Sequence, residues 1–190
     1  ASGLREGAAY VLETAASYET MRISLETVTG SSAKAATEFA RLQAFAAATP
    51  FAVAEVTEAY IKLANRGIQP TDRAMSAFGN TASAMGKTLD DFVEAVADAA
   101  TGENERLKEF GIVGKLAGEQ VQYTFRGVTT SVKRDAASIQ EYLTRIGESN
   151  FAGGMEKQSQ SLSGMWSTLK DNFALFADQL VQGGVGEALK

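Results

Sequence analysis

The 190-residue sequence predicts a mainly α fold, a multi-helix bundle with long terminal helices and one small β-hairpin at about residues 120–133. Three observations predict it. Apolar residues recur at three- and four-residue spacing through most of the chain, as in amphipathic helices. Glycines and prolines cut that pattern into separate lengths at Gly30, Pro50, Gly67, Pro70, Gly86 and Gly102. Only between Val121 and Val132 does the period change to two.

The first helix is expected from about Leu4 to Val28, with Val11, Ala15, Tyr18, Leu25 and Val28 on one stripe. Gly30 stops it, and Ser31 or Ser32 caps the next. That second helix carries Phe39, Leu42 and Phe45 and ends before Thr49, because Pro50 disfavours α geometry in the residue before it. A third spans Val53 to Asn65, with Val53, Val56, Tyr60 and Leu63 inward; Gly67 fits the position just past its end, and Ile68 can fold back on Leu63. Pro70 lies near the start of a fourth helix bearing Met75, Phe78, Ala82 and Met85. A fifth runs from Leu89 to about Ala100 with Leu89, Phe92, Val93, Val96 and Ala100 inward, and a short helix covers Glu103 to Phe110. Gly111 closes that helix, where Ile112 can meet Leu107.

In the hairpin, a two-residue turn at Arg126-Gly127 pairs Phe125 with Val128, Tyr123 with Thr130 and Val121 with Val132, all on one face. Arg-Gly is a weaker turn signal than Asn-Gly, so a longer loop stays open. An isolated hairpin is marginal in water, so this one should lay its apolar face on a helix. Asp135 caps a helix with Ile139, Leu143 and Ile146 inward, and the loop Ser149–Gly154 follows. The last helix runs from about Met155 to Val181, roughly 40 Å at ~1.5 Å per residue. Its Leu162, Met165, Leu169, Phe173, Phe176 and Leu180 keep coiled-coil-like spacing and, with Trp166, form a candidate interaction stripe. The chain reads as a single domain, 1–190, in which long terminal helices at 1–28 and 155–182 lie antiparallel or side by side and flank a compact helical body. The start, Ala1 to Tyr10, resembles a cut inside a longer polypeptide.

Cys and His are both absent, which excludes disulfides, a Cys/His zinc site and any His-dependent nucleophile. The net charge of −5 and the lack of a Lys/Arg cluster argue against nucleic-acid binding. The longest uncharged runs, Leu42–Ala54 and Ala74–Gly86, fall short of the ~18 residues that a membrane span needs. Gly86-Lys87-Thr88 looks like the end of a phosphate-binding loop, but the required first glycine position holds Thr81, and a helix rather than a strand precedes it. Gly86 reads as a helix stop and Thr88 as the next cap, with Asp91 completing a capping box. Ser31 to Lys34 has the Ser-x-x-Lys spacing of acyl enzymes without their partner motifs, so Ser31 reads as an N-cap. Asp90, Asp91, Glu94 and Asp98 read as a helix N-terminus and a solvated face; a hydrolase would draw on Asp91, Glu94 or Asp98. No catalytic, cofactor-binding or metal-ligating residue is assigned.

Several segments together resemble the N-terminal domain of phage tail tape measure proteins. They are Val28 to Ser32, Phe39 to Ile68, Ala77 to Ile112 (which contains GKTLDD and ENERLKEFGI), Val121 to Arg134, and Asn150 to Phe173 with MEKQSQSLSGMWSTLKD. The resemblance covers nearly the whole chain in matching order. It implies a structural, non-enzymatic protein of a phage or prophage tail that occupies the tail lumen, is assembled in the bacterial cytoplasm, sets tail length and scaffolds the tail tube. It also implies self-association and contacts with tube, tip or assembly-chaperone proteins, with no cofactor. Two other readings stay open: a helical effector that interacts with host membrane, and the carboxylate-based hydrolase.

Overall fold

The computed structural model describes residues 2–162, with side chains from residue 16 onward. Its elements are helices α1 (Ser2–Thr29), α2 (Ser32–Ala47), α3 (Val53–Asn65), α4 (Asp72–Ala84) and α5 (Leu89–Thr101), then a 3₁₀ helix (Arg106–Phe110). Strands β1 (Ile112–Ala117), β2 (Gln120–Phe125) and β3 (Val128–Lys133) follow, then helix α6 (Ala136–Asn150). A further helix, α7, is described over 154–162.

Helix starts are set by side chains that take orphan backbone donors. Ser31 Oγ accepts the Lys34 N–H at 3.2 Å, Thr71 Oγ1 accepts from Ala74 at 3.2 Å, and an Asp135 carboxylate oxygen accepts from Ser138 at 2.8 Å. The end of α3 is a Schellman turn: the Ile68 N–H donates to the Leu63 carbonyl at 3.0 Å and the Gly67 N–H to that of Ala64 at 3.1 Å. Ile68 is thereby buried in the core.

Helix α5 is the centre of the body. Leu89, Phe92, Val93, Ala95, Val96, Ala97 and Ala99 are all buried, and the helix packs against α3, α4, α6 and the 3₁₀ helix. Phe92 meets Phe78 of α4 and Phe110 of the 3₁₀ helix edge to face, with ring centroids 5.5 and 4.7 Å apart. Helices α4 and α6 approach closely because Gly147 carries no side chain: a Cβ there would overlap the Ala77 carbonyl oxygen and stand 2.9 Å from the Ala77 Cβ. Above that contact Arg73 binds Glu141 and Glu148, at 2.7 Å each, and Arg145 binds Glu141 at 2.8 Å. Bonding to Arg73 and then Arg145 pulls the Glu141 carboxyl down to about 2. Helix α7 starts against α4, where the Met155 N–H donates to Asn80 Oδ1 at 3.1 Å.

The hairpin forms in the predicted register, with Phe125 opposite Val128, Tyr123 opposite Thr130 and Val121 opposite Val132. Its turn holds both central residues at positive φ, Arg126 at 48° and Gly127 at 81°, as a type I′ turn requires. The sheet has a third strand that periodicity did not reveal: β1 pairs antiparallel with β2, so the order is β1-β2-β3 and, among the described residues, both outer strands are edges. The inner face lies on α6, as expected of a hairpin too small to stand alone. Tyr123 stacks on Tyr142 with centroids 4.9 Å apart, and its hydroxyl donates to Asn104 Oδ1 at 2.8 Å. The Arg134 N–H donates to the Glu119 carbonyl at 2.9 Å, which marks a hydrogen-bonded pair at the end of the ladder. Because such pairs alternate, Val132 and Thr130 bond to β2, whereas the backbone groups of Thr129 and Ser131 point to the open edge.

Smaller expectations are corrected. The helix expected over Glu103 to Phe110 is a 3₁₀ helix confined to Arg106–Phe110. Met85, expected inward, is 39% exposed, because α4 ends at Ala84 and Met85 occupies the cap. Helix α6 continues to Asn150, so less of Ser149–Gly154 is loop. At the amino end α1 packs against α2 and α3. Its placement relative to the carboxyl-terminal helix lies outside the described residues.

Gly147→Ala tests the α4–α6 contact with a sign that propensity alone would reverse. On a free helix the change stabilises by up to about 1 kcal/mol. Here the collision with Ala77 is expected to destabilise by about 1–3 kcal/mol, read as a lower urea midpoint at unchanged m.

Candidate functional site

Three places could carry function: the carboxylates of α5, the clefts of the helical body, and the apolar stripe near the carboxyl end. In α5 each carboxylate already has a structural partner. Asp91 completes the capping box, accepting from the Thr88 N–H at 3.0 Å and from the Thr88 hydroxyl at 2.7 Å, while Thr88 Oγ1 accepts the Asp91 N–H at 3.1 Å. Lys62 of α3 bonds to Asp90 and, at 3.0 Å, to Glu94. Arg106 of the 3₁₀ helix reaches Glu94 and Asp98, at 2.8 Å each. The bonds from Thr88 hold Asp91 below the usual carboxylate range, and the bond from Lys62 does the same for Glu94. A general acid needs the opposite shift, upward toward neutrality. Among the described residues no group of three or more Asp or Glu side chains is placed to hold a metal ion.

Gly86 and its neighbours make the helix stop expected of them. The Lys87 N–H donates to the Ala82 carbonyl at 3.0 Å and the Gly86 N–H to that of Ser83 at 3.2 Å, while Lys87 pairs with Glu109 rather than facing a phosphate loop.

Two adjoining clefts, of about 450 and 310 Å³, share Glu38 and Tyr60 where α2 meets α3. Their polar groups satisfy one another. Arg41 binds Glu38 at 2.7 Å, Asp72, and the Pro70 carbonyl at 3.1 Å, and it stands 5.7 Å from the Tyr60 ring centroid. Burial works against the Arg41 charge, but Glu38 and Asp72 outweigh it and raise its pKa. Burial also raises that of Tyr60. No nucleophile–base pair results. A third cleft, of about 460 Å³, lies between β3 and α6 and is lined by Thr130, Val132, Glu141, Tyr142 and Arg145 among others.

Of the predicted stripe, Leu162 is 44% exposed. Met165, Trp166, Leu169, Phe173, Phe176 and Leu180 lie outside the described residues. No described helix is long and apolar enough to cross a membrane.

The architecture is thus a helical body in which the carboxylates of α5 and the polar groups of the α2–α3 clefts are partnered within the structure. A model of the tape measure protein family matches residues 9–182. The chain belongs to the tape measure protein family. No curated protein and no solved structure matches it. Tape measure proteins are structural proteins of phage tails, which places this tape measure domain in the virion tail in association with other tail proteins. The α5 carboxylates are read accordingly, as the cap and seams of a structural domain.

Thr88→Ala removes half of the capping box and should cost about 1 kcal/mol near neutral pH. Asp91 sits below its ordinary value in the folded state, so its contribution is present above the unfolded pKa and fades as pH falls through the folded one. The gap between wild type and variant in chemical denaturation should therefore narrow on acidification below about pH 4.

Proposed function

We propose that this tape measure domain helps set tail length and scaffolds polymerisation of the tail tube. It assembles in the host cytoplasm and resides in the tail lumen of the virion. The observation that carries the reading is the family match over residues 9–182. The helical architecture supports it, since a helix converts residue count into length at ~1.5 Å per residue. At 28 residues, α1 is the longest described helix and a suitable attachment for a rod. In this reading residues 1–190 act as one domain within a longer helical polypeptide, with the end helices 1–28 and 155–182 flanking the body. The stripe Leu162, Met165, Trp166, Leu169, Phe173, Phe176 and Leu180 then contacts a second copy or another tail protein, as regularly spaced apolar residues on a helix do.

In-frame deletions in the helical part of the encoded tape measure polypeptide should shorten tails by ~1.5 Å for each residue removed, measured on negatively stained particles. Tails of unchanged length would refute the length-setting role.

A further inference from the structure

We propose that the edge of β3 is a docking site for an extended polypeptide segment of another protein, uncharged at its centre and acidic at its ends. The edge is built for strand addition. Thr129 and Ser131 are exposed and aim their backbone groups away from β2, and no described strand lies on that side of β3. Natural edge strands are usually guarded by charge, proline or a bulge. This one has no proline and its pairing with β2 is continuous, and its one charge, Lys133, stands at the far end, which leaves Val128 to Val132 uncharged.

The cleft beside the edge supplies the second half of the site. An added strand would direct alternate side chains to the inner face, in the row of Val128, Thr130 and Val132. Val128 is 67% exposed there, and the 460 Å³ cleft between β3 and α6 opens next to Thr130 and Val132. Main-chain bonds to Thr129 and Ser131 would give affinity, and the cleft would select the alternate side chains.

Charge identifies the occupant. In a chain of net charge −5, Arg126 stands at one end of the edge, Lys133 and Arg134 at the other, and Arg145 across the cleft. Lys133 is shared with Asp135 at 3.4 Å and Arg145 with Glu141 at 2.8 Å, so Arg126 and Arg134, which make no ion pair among the described residues, set the charge at the two ends of the edge. Two copies pairing β3 to β3 about Thr130 would place Arg126 of one against Arg134 of the other, a like-charge opposition that disfavours self-pairing in that register. Acidic flanks meet the same groups favourably. That the natural partner is a tail protein rests on the function proposed above; the docking chemistry does not.

The test uses the 190-residue protein and a fluorescently labelled peptide, Glu-Glu-Val-Thr-Val-Thr-Val-Glu-Glu, read by anisotropy. Saturable binding is expected, at least about tenfold weaker when lysines replace the glutamates. It should be lost when alternate peptide nitrogens are methylated, a change that leaves the protein untouched. Ser131→Pro removes an outward N–H that β2 does not use, and should abolish binding while the thermal midpoint stays in place. Absence of saturable binding, equal binding of the lysine peptide, or undiminished binding after methylation or in Ser131→Pro overturns the proposal. A concentration-dependent dimer of the free protein that Ser131→Pro dissociates would make a second copy the occupant and overturn it as well. None of these outcomes bears on the deletion series, so the two readings fail separately.

Discussion

The enclosure of α5 is the constraint on which the rest of the molecule depends. A helix with Leu89, Phe92, Val93, Ala95, Val96, Ala97 and Ala99 all buried needs neighbours on most of its circumference. Helices α3, α4 and α6 and the 3₁₀ helix supply them. The alanines let those neighbours approach, and Phe92 fills the larger gap between Phe78 and Phe110. Polar groups on α5 can then stand only on the strip left to solvent, which is where Asp90, Asp91, Glu94 and Asp98 are found. Their spacing, suggestive of a reactive cluster when read alone, follows from burial.

That strip is also where the surrounding elements are tied together. Lys62 reaches it from α3 and Arg106 from the 3₁₀ helix, so each cation bridges α5 to a different neighbour. Exposed pairs of this kind contribute little singly. They span the rim between α5 and its two neighbours, over packing that the buried apolar residues hold. The same division recurs between α4 and α6, where the approach at Gly147 sets the distance and the Arg73 pairs span the rim.

Much of this was legible in the sequence because local chemistry decided it. The caps at Ser31, Thr88 and Asp135, the turn at Gly67 and the register of β2 with β3 each depend on residues a few positions apart. Strand β1 escaped notice because tertiary contacts broke its alternation. Ile112 and Val113 are adjacent apolar residues on opposite faces, and the inward position after Ile112 must be Gly114, where a Cβ would stand 2.7 Å from Asn104 and 2.9 Å from Tyr123. A local signal was present: Gly118 at φ 64° opens the two-residue turn to β2. The absence of a catalytic assignment followed from the missing Cys and His, whereas the open edge of β3 became visible only once β1 was seen on the other side of β2.

In this tail protein the carboxylates of α5 act as a helix cap and as ion-pair partners rather than as a reactive centre. The most direct test is isosteric removal of charge at the seam. Glu94→Gln with Asp98→Asn keeps volume and helix geometry while discarding any acid–base or nucleophilic capacity. Introduced together into the phage, they should leave a folded domain, tails of normal length and an undiminished plaque titre. A folded domain in normal tails with infectivity lost would place a reactive centre on α5 and contradict the structural reading.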